Sequence, residues 1–211
     1  MKKKFLIISF LILTTILHAQ FVDRISFNYG FTSSDLQWEF DPSYSLPTLN
    51  NIANRNLNGF YSGIDIDYLK SRFFALSTGI GFYQNGAKYD WVNRIDKLDL
   101  SYLTFDTKVK IKYDFNKFTP YLVIGPRLDY LLQFSSAFDD YERLGMMNKI
   151  NYGLRYGLGI QYDFGKIILG IAWKNNVSFN STVENNGESM NPPFKINNKT
   201  MIFNLDFGIK M

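Results

Sequence analysis

The sequence predicts an all-β protein, an eight-stranded antiparallel up-and-down transmembrane β-barrel with short periplasmic turns and long extracellular loops. Three observations carry that expectation. Large apolar residues alternate with polar or small ones along nearly the whole chain after the first 20 residues, a period of two that no helix tolerates. The connections between these runs alternate short and long, as in barrels whose short turns face the periplasm. No apolar run long enough for a membrane helix follows the first 20 residues, so a membrane crossing must use strands.

The strands follow in order. The first, 22–32, sets Ile25, Phe27, Tyr29 and Phe31 against Arg24, Ser26, Asn28 and Gly30. The second, 59–69, sets Phe60, Ile64, Ile66 and Tyr68 against Tyr61, Gly63, Asp65 and Asp67, and the third, 73–86, sets Phe74, Leu76, Ile80 and Phe82 against Ala75, Ser77, Gly79 and Gly81. The fourth, 99–115, is the most polarised: Leu103, Phe105, Val109, Ile111, Tyr113 and Phe115 oppose Asp106, Lys108, Lys110, Lys112 and Asp114. In the fifth, 118–134, Leu122, Ile124, Leu128, Tyr130, Leu132 and Phe134 oppose Gly125, Arg127, Asp129 and Gln133.

The sixth, 150–164, carries the longest unbroken alternation, from Ile150, Tyr152 and Leu154 to Tyr162 and Phe164, against Asn151, Arg155, Gln161, Asp163 and three glycines. The seventh, 167–180, sets Ile167, Leu169, Ile171, Trp173, Val177 and Phe179 against Gly170, Lys174, Asn176 and Asn180. The eighth, 200–211, sets Met201, Phe203, Leu205, Phe207, Ile209 and Met211 against Asn204, Asp206, Gly208 and Lys210. Asn116-Lys117 and Gly165-Lys166 read as two-residue hairpin loops, because Phe115 with Phe118 and Phe164 with Ile167 then share a face. Residues 69–73 make a third short turn. The segments 33–58, 87–98, 135–148 and 181–199, rich in Asn, Ser, Asp and Pro, read as long loops.

Ahead of the strands, MKKK, the apolar run FLIISFLILTTIL and His18-Ala19-Gln20 read as a secretory leader cut after Ala19. Residues 1–19 are thus expected to be a cleaved signal peptide, and 20–211 a single barrel domain of about 190 residues. The chain has no cysteine, which excludes disulfides and thiolate metal sites. Its one histidine, His18, lies in the leader, so the mature chain lacks an imidazole for acid–base chemistry or metal ligation. Lys2, Lys3 and Lys4 supply three of the four formal positive charges and leave +1 on the mature chain, too little for a nucleic-acid surface.

Volume decides which face looks outward. An eight-stranded barrel has an interior just wide enough to be filled by side chains, and the apolar face holds about forty large residues, far more than that interior takes. The apolar face therefore meets lipid and the polar face lines the lumen. There Arg24, Lys108, Lys110, Lys112, Arg127, Arg155, Lys174 and Lys210 nearly balance Asp65, Asp67, Asp106, Asp114, Asp129, Asp163 and Asp206. Buried charges persist when paired, which predicts a salt-bridged plug. Tyr68, Phe74, Tyr113, Phe115, Phe118, Tyr162, Phe164 and Phe207 gather at the short-turn end, as an interfacial girdle does.

ALSTGIGFYQNGAKY (75–89), LSYLTF (100–105), TPYLVIGPRLDYLL (119–132) and YGLGIQYDFGK (156–166) resemble the PorT-like outer-membrane β-barrel family of Bacteroidota over most of the mature chain. Members of that family often carry proline near the position of Asp106 and end on an aromatic residue, where this chain ends on Met211. The resemblance implies a monomeric barrel in the cell outer membrane, surrounded by outer-membrane lipid. The family's namesake serves protein export through the type IX secretion system, while most members have no assigned role, so the likeness implies fold and location more than activity.

Three functions follow as expectations. The first is a scaffold, adaptor or binding protein without catalytic activity, meeting a protein partner at its extracellular loops or periplasmic turns. Trp38, Phe40 and Tyr44, then Tyr89 and Trp91, then Phe138, Tyr141, Met146 and Met147 are the loop residues able to dock it, or else to extend strands and pack loops together. Leu36, Trp38 and Phe40 alternate, which favours a strand extension. The second is a small passive channel. The third, an outer-leaflet lipid-modifying enzyme, lacks a nucleophile motif and a histidine base. No catalytic, cofactor-binding or metal-ligating residues are assigned. Asp139-Asp140-Tyr141-Glu142 lacks the spacing of an EF-hand loop, and the sequons at Asn176, Asn180 and Asn198 are discounted because two of them fall on or beside strands.

Overall fold

A computed structural model describes residues 22–40, 53–68, 71, 73–91, 94–185 and 194–211. The expected leader lies outside the described residues. The alternating runs become β1 (Val22–Phe40), β2 (Ala53–Tyr68), β3 (Phe74–Trp91), β4 (Arg94–Lys112), β5 (Phe118–Phe134), β6 (Ile150–Asp163), β7 (Ile167–Ser178), the short β8 (Val183–Asn185) and β9 (Phe194–Lys210). A 3-10 turn (Ser136–Phe138) runs into a five-residue helix, α1 (Asp139–Arg143). Each long strand pairs antiparallel with the next, β7 pairs with β9, and β9 pairs with β1. Eight staves thus close into a barrel, which leaves no free edge through its middle. Residues 182–185, including β8, continue stave β7 upward along β9, with Val183 opposite Ile196.

The two expected hairpins form. Phe115 and Phe118 exchange backbone hydrogen bonds of 2.8 and 3.0 Å around Asn116-Lys117, and the Phe164 N–H donates to the Ile167 carbonyl at 2.9 Å around Gly165-Lys166. Asn116 (φ 60°) and Gly165 (φ +99°) take the left-handed conformation that a tight turn requires and that asparagine and glycine tolerate best. Beside them Phe118 meets Tyr162 edge-on with ring centroids 4.8 Å apart, and Tyr162 meets Phe164 at 4.5 Å, within the expected girdle.

At the opposite end the strands run well past their expected limits. β1 continues to Phe40, β3 to Trp91, and β4 and β9 start at Arg94 and Phe194. The expected loop 87–98 is mostly ladder, with Trp91 paired to Arg94. At the periplasmic end β4 stops at Lys112, short of 115. The reason lies in what the alternation reports: it marks where hydrocarbon stops facing outward, and hydrogen bonding between strands does not stop there.

Along β1 the outward residues are Ile25, Phe27, Tyr29 and Phe31, and then Ser33, Asp35, Gln37 and Glu39. Along β9 they are Phe207, Leu205, Phe203 and Met201, and then Lys199, Asn197 and Lys195. Asp35 stands directly opposite Lys199, and Glu39 opposite Lys195, so opposite charges face each other above the apolar band. Phe31 and Met201 mark the outer membrane surface. Above it the staves form a turret.

Candidate functional site

The lumen is the candidate site, and it changes character with height. Its lower part holds the expected charges, buried at positions that alternate with the lipid-facing ones. Asp67 accepts from Arg24 at 2.6 Å and from Lys110 at 2.7 Å, and Arg24 also lies 3.8 Å from Asp206. Lys108 bridges Asp65 and Asp106, each at 2.8 Å, and Asp106 pairs in turn with Arg155. Gln161 donates to Asp206 at 2.7 Å, and Arg155 Nε donates to Asn176 at 2.8 Å. Six cations (Arg24, Lys108, Lys110, Arg127, Arg155, Lys174) thus meet five carboxylates (Asp65, Asp67, Asp106, Asp129, Asp206), all buried.

The surplus cation is solvated by rings. Lys174 lies 3.8 Å from Asp65, its nearest carboxylate, and 5.5 Å from the centre of the Tyr61 ring, which Arg155 also approaches at 5.9 Å. Lys110 sits 5.0 Å from the Tyr121 ring centre. Aromatic faces attract such cations most where water is excluded. Space is equally tight. A Cβ on Gly79 would fall 2.2 Å from an Asp65 oxygen and 2.9 Å from an Asp106 oxygen, so glycine leaves room for two carboxylates. Arg155 is fully buried at the centre of this network.

Four expected plug members, Lys112, Asp114, Asp163 and Lys210, sit elsewhere. Lys112 is half-buried and Asp114 is exposed, accepting from Thr119 at 2.9 Å; both border a vestibule of about 370 Å³ at the periplasmic mouth. Lys210 and Asp163 pair at its edge. The vestibule reaches up to Arg24, Asp67 and Lys110, which are joined by ion pairs.

The uppermost ion pair, Arg127 with Asp129, opens into a layer of side-chain hydrogen bonds. Tyr83 donates to Asp129 at 2.8 Å, and Arg127, paired with Asp129, donates to Tyr83 at 3.2 Å and to Ser178 at 2.7 Å. Asn151 donates to Tyr102 at 3.1 Å and to Thr182 at 3.3 Å, and Asn85 donates to Thr200 at 2.7 Å.

Higher still the lumen turns apolar, which corrects the expectation of a polar interior along its full length. Leu36, Leu98, Leu100, Leu131, Ile196 and Ile202 point inward from four strands and pack with Tyr61, Tyr83 and Tyr102. β5 ends early, and residues 135–145 fill the gap it leaves in the turret wall. The Ser135 N–H donates to the Asp99 carbonyl at 2.9 Å, which ties this cap to β4. On its other side Met147 bridges to Val183, and the Glu184 N–H donates to the Met146 carbonyl at 3.0 Å.

Phe138 is fully buried beneath the cap, with Tyr141, Met146, Met147 and Trp38 partly buried around it. These loop residues pack the turret, the structural one of their two expected roles. Trp38 extends β1, as its alternation with Leu36 predicts. Phe40, Tyr89 and Trp91 lie on strands whose side chains there fall outside the described residues, as does Tyr44 altogether. Burial, and then the neighbouring Asp140 carboxylate, push the Tyr141 hydroxyl above its usual range.

A register shift between Ser101 and Tyr102 makes a bulge in β5 near Leu132. It turns Gln133 outward to solvent and Phe134 against the apolar core, the reverse of the strict alternation expected. Sequence reasoning missed the turret core, although a signal exists. Apolar residues sit at odd positions up to Phe31 and at even positions from Leu36 onward, and β4 changes parity likewise between Leu98-Leu100 and Leu103-Phe105. Among the described residues no three acidic, histidine or cysteine side chains gather into a metal cage.

No protein-family model matches the chain, and no curated protein does. Solved structures do. The chain is similar to the outer membrane protein OprG from Pseudomonas aeruginosa, at 11% identity and a TM-score of 0.56, over 90% of this chain and 97% of that one. It is similar to Neisserial surface protein A at 14% identity and a TM-score of 0.51, over 89% of this chain and 97% of that one. The outer membrane enzyme PagL matches at 11% identity and a TM-score of 0.43, over 89% of this chain and 99% of that one, a likeness too loose to argue from. At such identities the likeness is one of fold: a closed antiparallel outer-membrane β-barrel, with its apolar band in the lipid of that membrane.

Proposed function

We propose that this chain is a non-conducting, non-catalytic outer-membrane barrel that works as a scaffold, adaptor or binding protein through its turret. The observation that carries this reading is the turret itself. Anchoring needs only the membrane-spanning part of each strand, yet β1, β3, β4 and β9 continue about eight residues further and enclose a packed core of their own. A surface held that rigidly suits recognition, since little side-chain or loop entropy is lost when a partner binds. The resemblance to the PorT-like family adds protein secretion as the setting, and removal of residues 1–19 as the route of export. Ion pairs below and hydrocarbon above close the lumen twice in series, which supports a barrel that does not conduct.

Two measurements test this together. The purified barrel in planar bilayers should be silent, and stable channels would instead favour a passive pore. Photo-crosslinkers at the outward turret positions Gln37 and Lys97 in intact cells should capture one discrete protein, whereas crosslinks to lipid alone would sink the adaptor reading.

A further inference from the structure

The lipid-facing surface carries a groove of about 520 Å³ near its periplasmic end, crossing β5, β6, β7, β9 and β1. Aromatic rings flank it, Phe118 and Tyr162 on one side and Phe27 and Tyr29 on the other, with the shorter Leu169 and Ile171 of β7 between them. The register fixes this order, because Tyr162 stands opposite Leu169, Leu169 opposite Phe207, and Phe207 opposite Phe27. The groove lies within the apolar band, so what fills it comes from the membrane.

Its watery end is cationic. The hairpin tips Asn116-Lys117 and Gly165-Lys166 sit directly below: the Asp163 N–H donates to the Lys117 carbonyl at 2.8 Å, and the Lys210 N–H to the Lys166 carbonyl at 2.9 Å. Both lysines are exposed, and neither forms an ion pair among the described residues. An apolar trough ending at two exposed lysines, of which Lys117 also feels the neighbouring Asp163 carboxylate, matches an amphipathic anion in shape and charge.

We propose that this groove is a binding site for an anionic phospholipid of the periplasmic leaflet, with one acyl chain along Leu169 and Ile171 and the phosphate held by Lys117 and Lys166. The site is separate from the turret and does not depend on it. A flat apolar ring would let all lipids exchange alike. Concavity gives one chain more contact than its neighbours have, and charge near the surface selects its headgroup.

The test uses the folded barrel in vesicles of phosphatidylcholine with a minor share of phosphatidylglycerol, extracted in mild detergent and weighed by native mass spectrometry. The wild type should retain phosphatidylglycerol in preference, with an enrichment of about fivefold per lysine. Lys117→Ala with Lys166→Ala should erase the preference, and Leu169→Trp, which fills the trough, should remove the retained lipid. Heat-modifiable gel migration checks that each variant is folded. The proposal is overturned if the wild type retains no lipid, if it retains both headgroups alike, if Leu169→Trp changes nothing, or if the groove proves to hold a second copy in a dimer that Leu169→Trp dissociates.

Discussion

Below the outer membrane surface the strands bury charge and expose hydrocarbon; above it the same strands bury hydrocarbon and expose charge. β1 shows the change within one stave, with Asn28 inside and Phe27 outside in the lower part, and Leu36 inside and Gln37 outside in the upper. Geometry does not change between them, since the β1–β9 ladder runs from Arg24 opposite Lys210 to Phe40 opposite Phe194 without a slip. The surrounding solvent does. Lipid accepts only apolar side chains on the outer face and leaves polar groups to find each other within, whereas water outside restores the usual hydrophobic core.

The two regions therefore should fail differently. Asp106→Asn strips the partner shared by Lys108 and Arg155 and leaves buried charge uncompensated, for a loss of about 3–5 kcal/mol, read as a lower urea midpoint of the whole barrel. Phe138→Ala opens a cavity worth about 3 kcal/mol, but in a cap that opens without unmaking the barrel. Proteolysis within 135–149 should rise steeply while the midpoint of the barrel barely moves. If that midpoint falls as far as with Asp106→Asn, the two regions form one cooperative unit and the distinction breaks.

Smaller effects sharpen where the boundary lies. Ile124→Lys places a charge in mid-membrane at about 2–4 kcal/mol, while Ser33→Lys, one outward position above Phe31, should stay within about 0.5 kcal/mol; comparable losses would put the boundary higher than Phe31. Lys174→Met removes the surplus cation and leaves five cations for five carboxylates, so its effect on the urea midpoint should stay within about 1 kcal/mol of zero, with stabilisation as a permitted outcome.

The membrane part of the fold was legible because lipid imposes one strict rule on alternate residues. From Phe27 to Phe31 and from Phe203 to Ile209 that rule gives the strand, its facing and its neighbours in the lumen. The turret was less legible because its alternation has the opposite phase. Leu36 and Trp38 alternate with Phe40 and so point to a strand extension, whereas Leu98 and Ile196 stand as single apolar residues in polar segments with no apolar outer face beside them. The ion-pair plug could be foreseen as a set of residues, but not as a set of partners. Arg24 shares Asp67 with Lys110, and Arg155 shares Asp106 with Lys108, and both depend on strand registers that composition does not specify. The bulge that exchanges Gln133 and Phe134 depends on a one-residue slip with no marker of its own.

Unbroken ladders across the membrane surface also have a mechanical consequence. In β1–β9 and in β3–β4 no missing pair interrupts the hydrogen bonds between the plug and the top of the turret, and extended strands laced by such ladders resist both stretching and hinging. A load applied to the turret is then borne by the barrel as one stiff strut and passes straight to the bilayer. Among the described residues, the span from Ser135 to Gly145, held by a few bonds where a stave is missing, is the part of that wall expected to yield first.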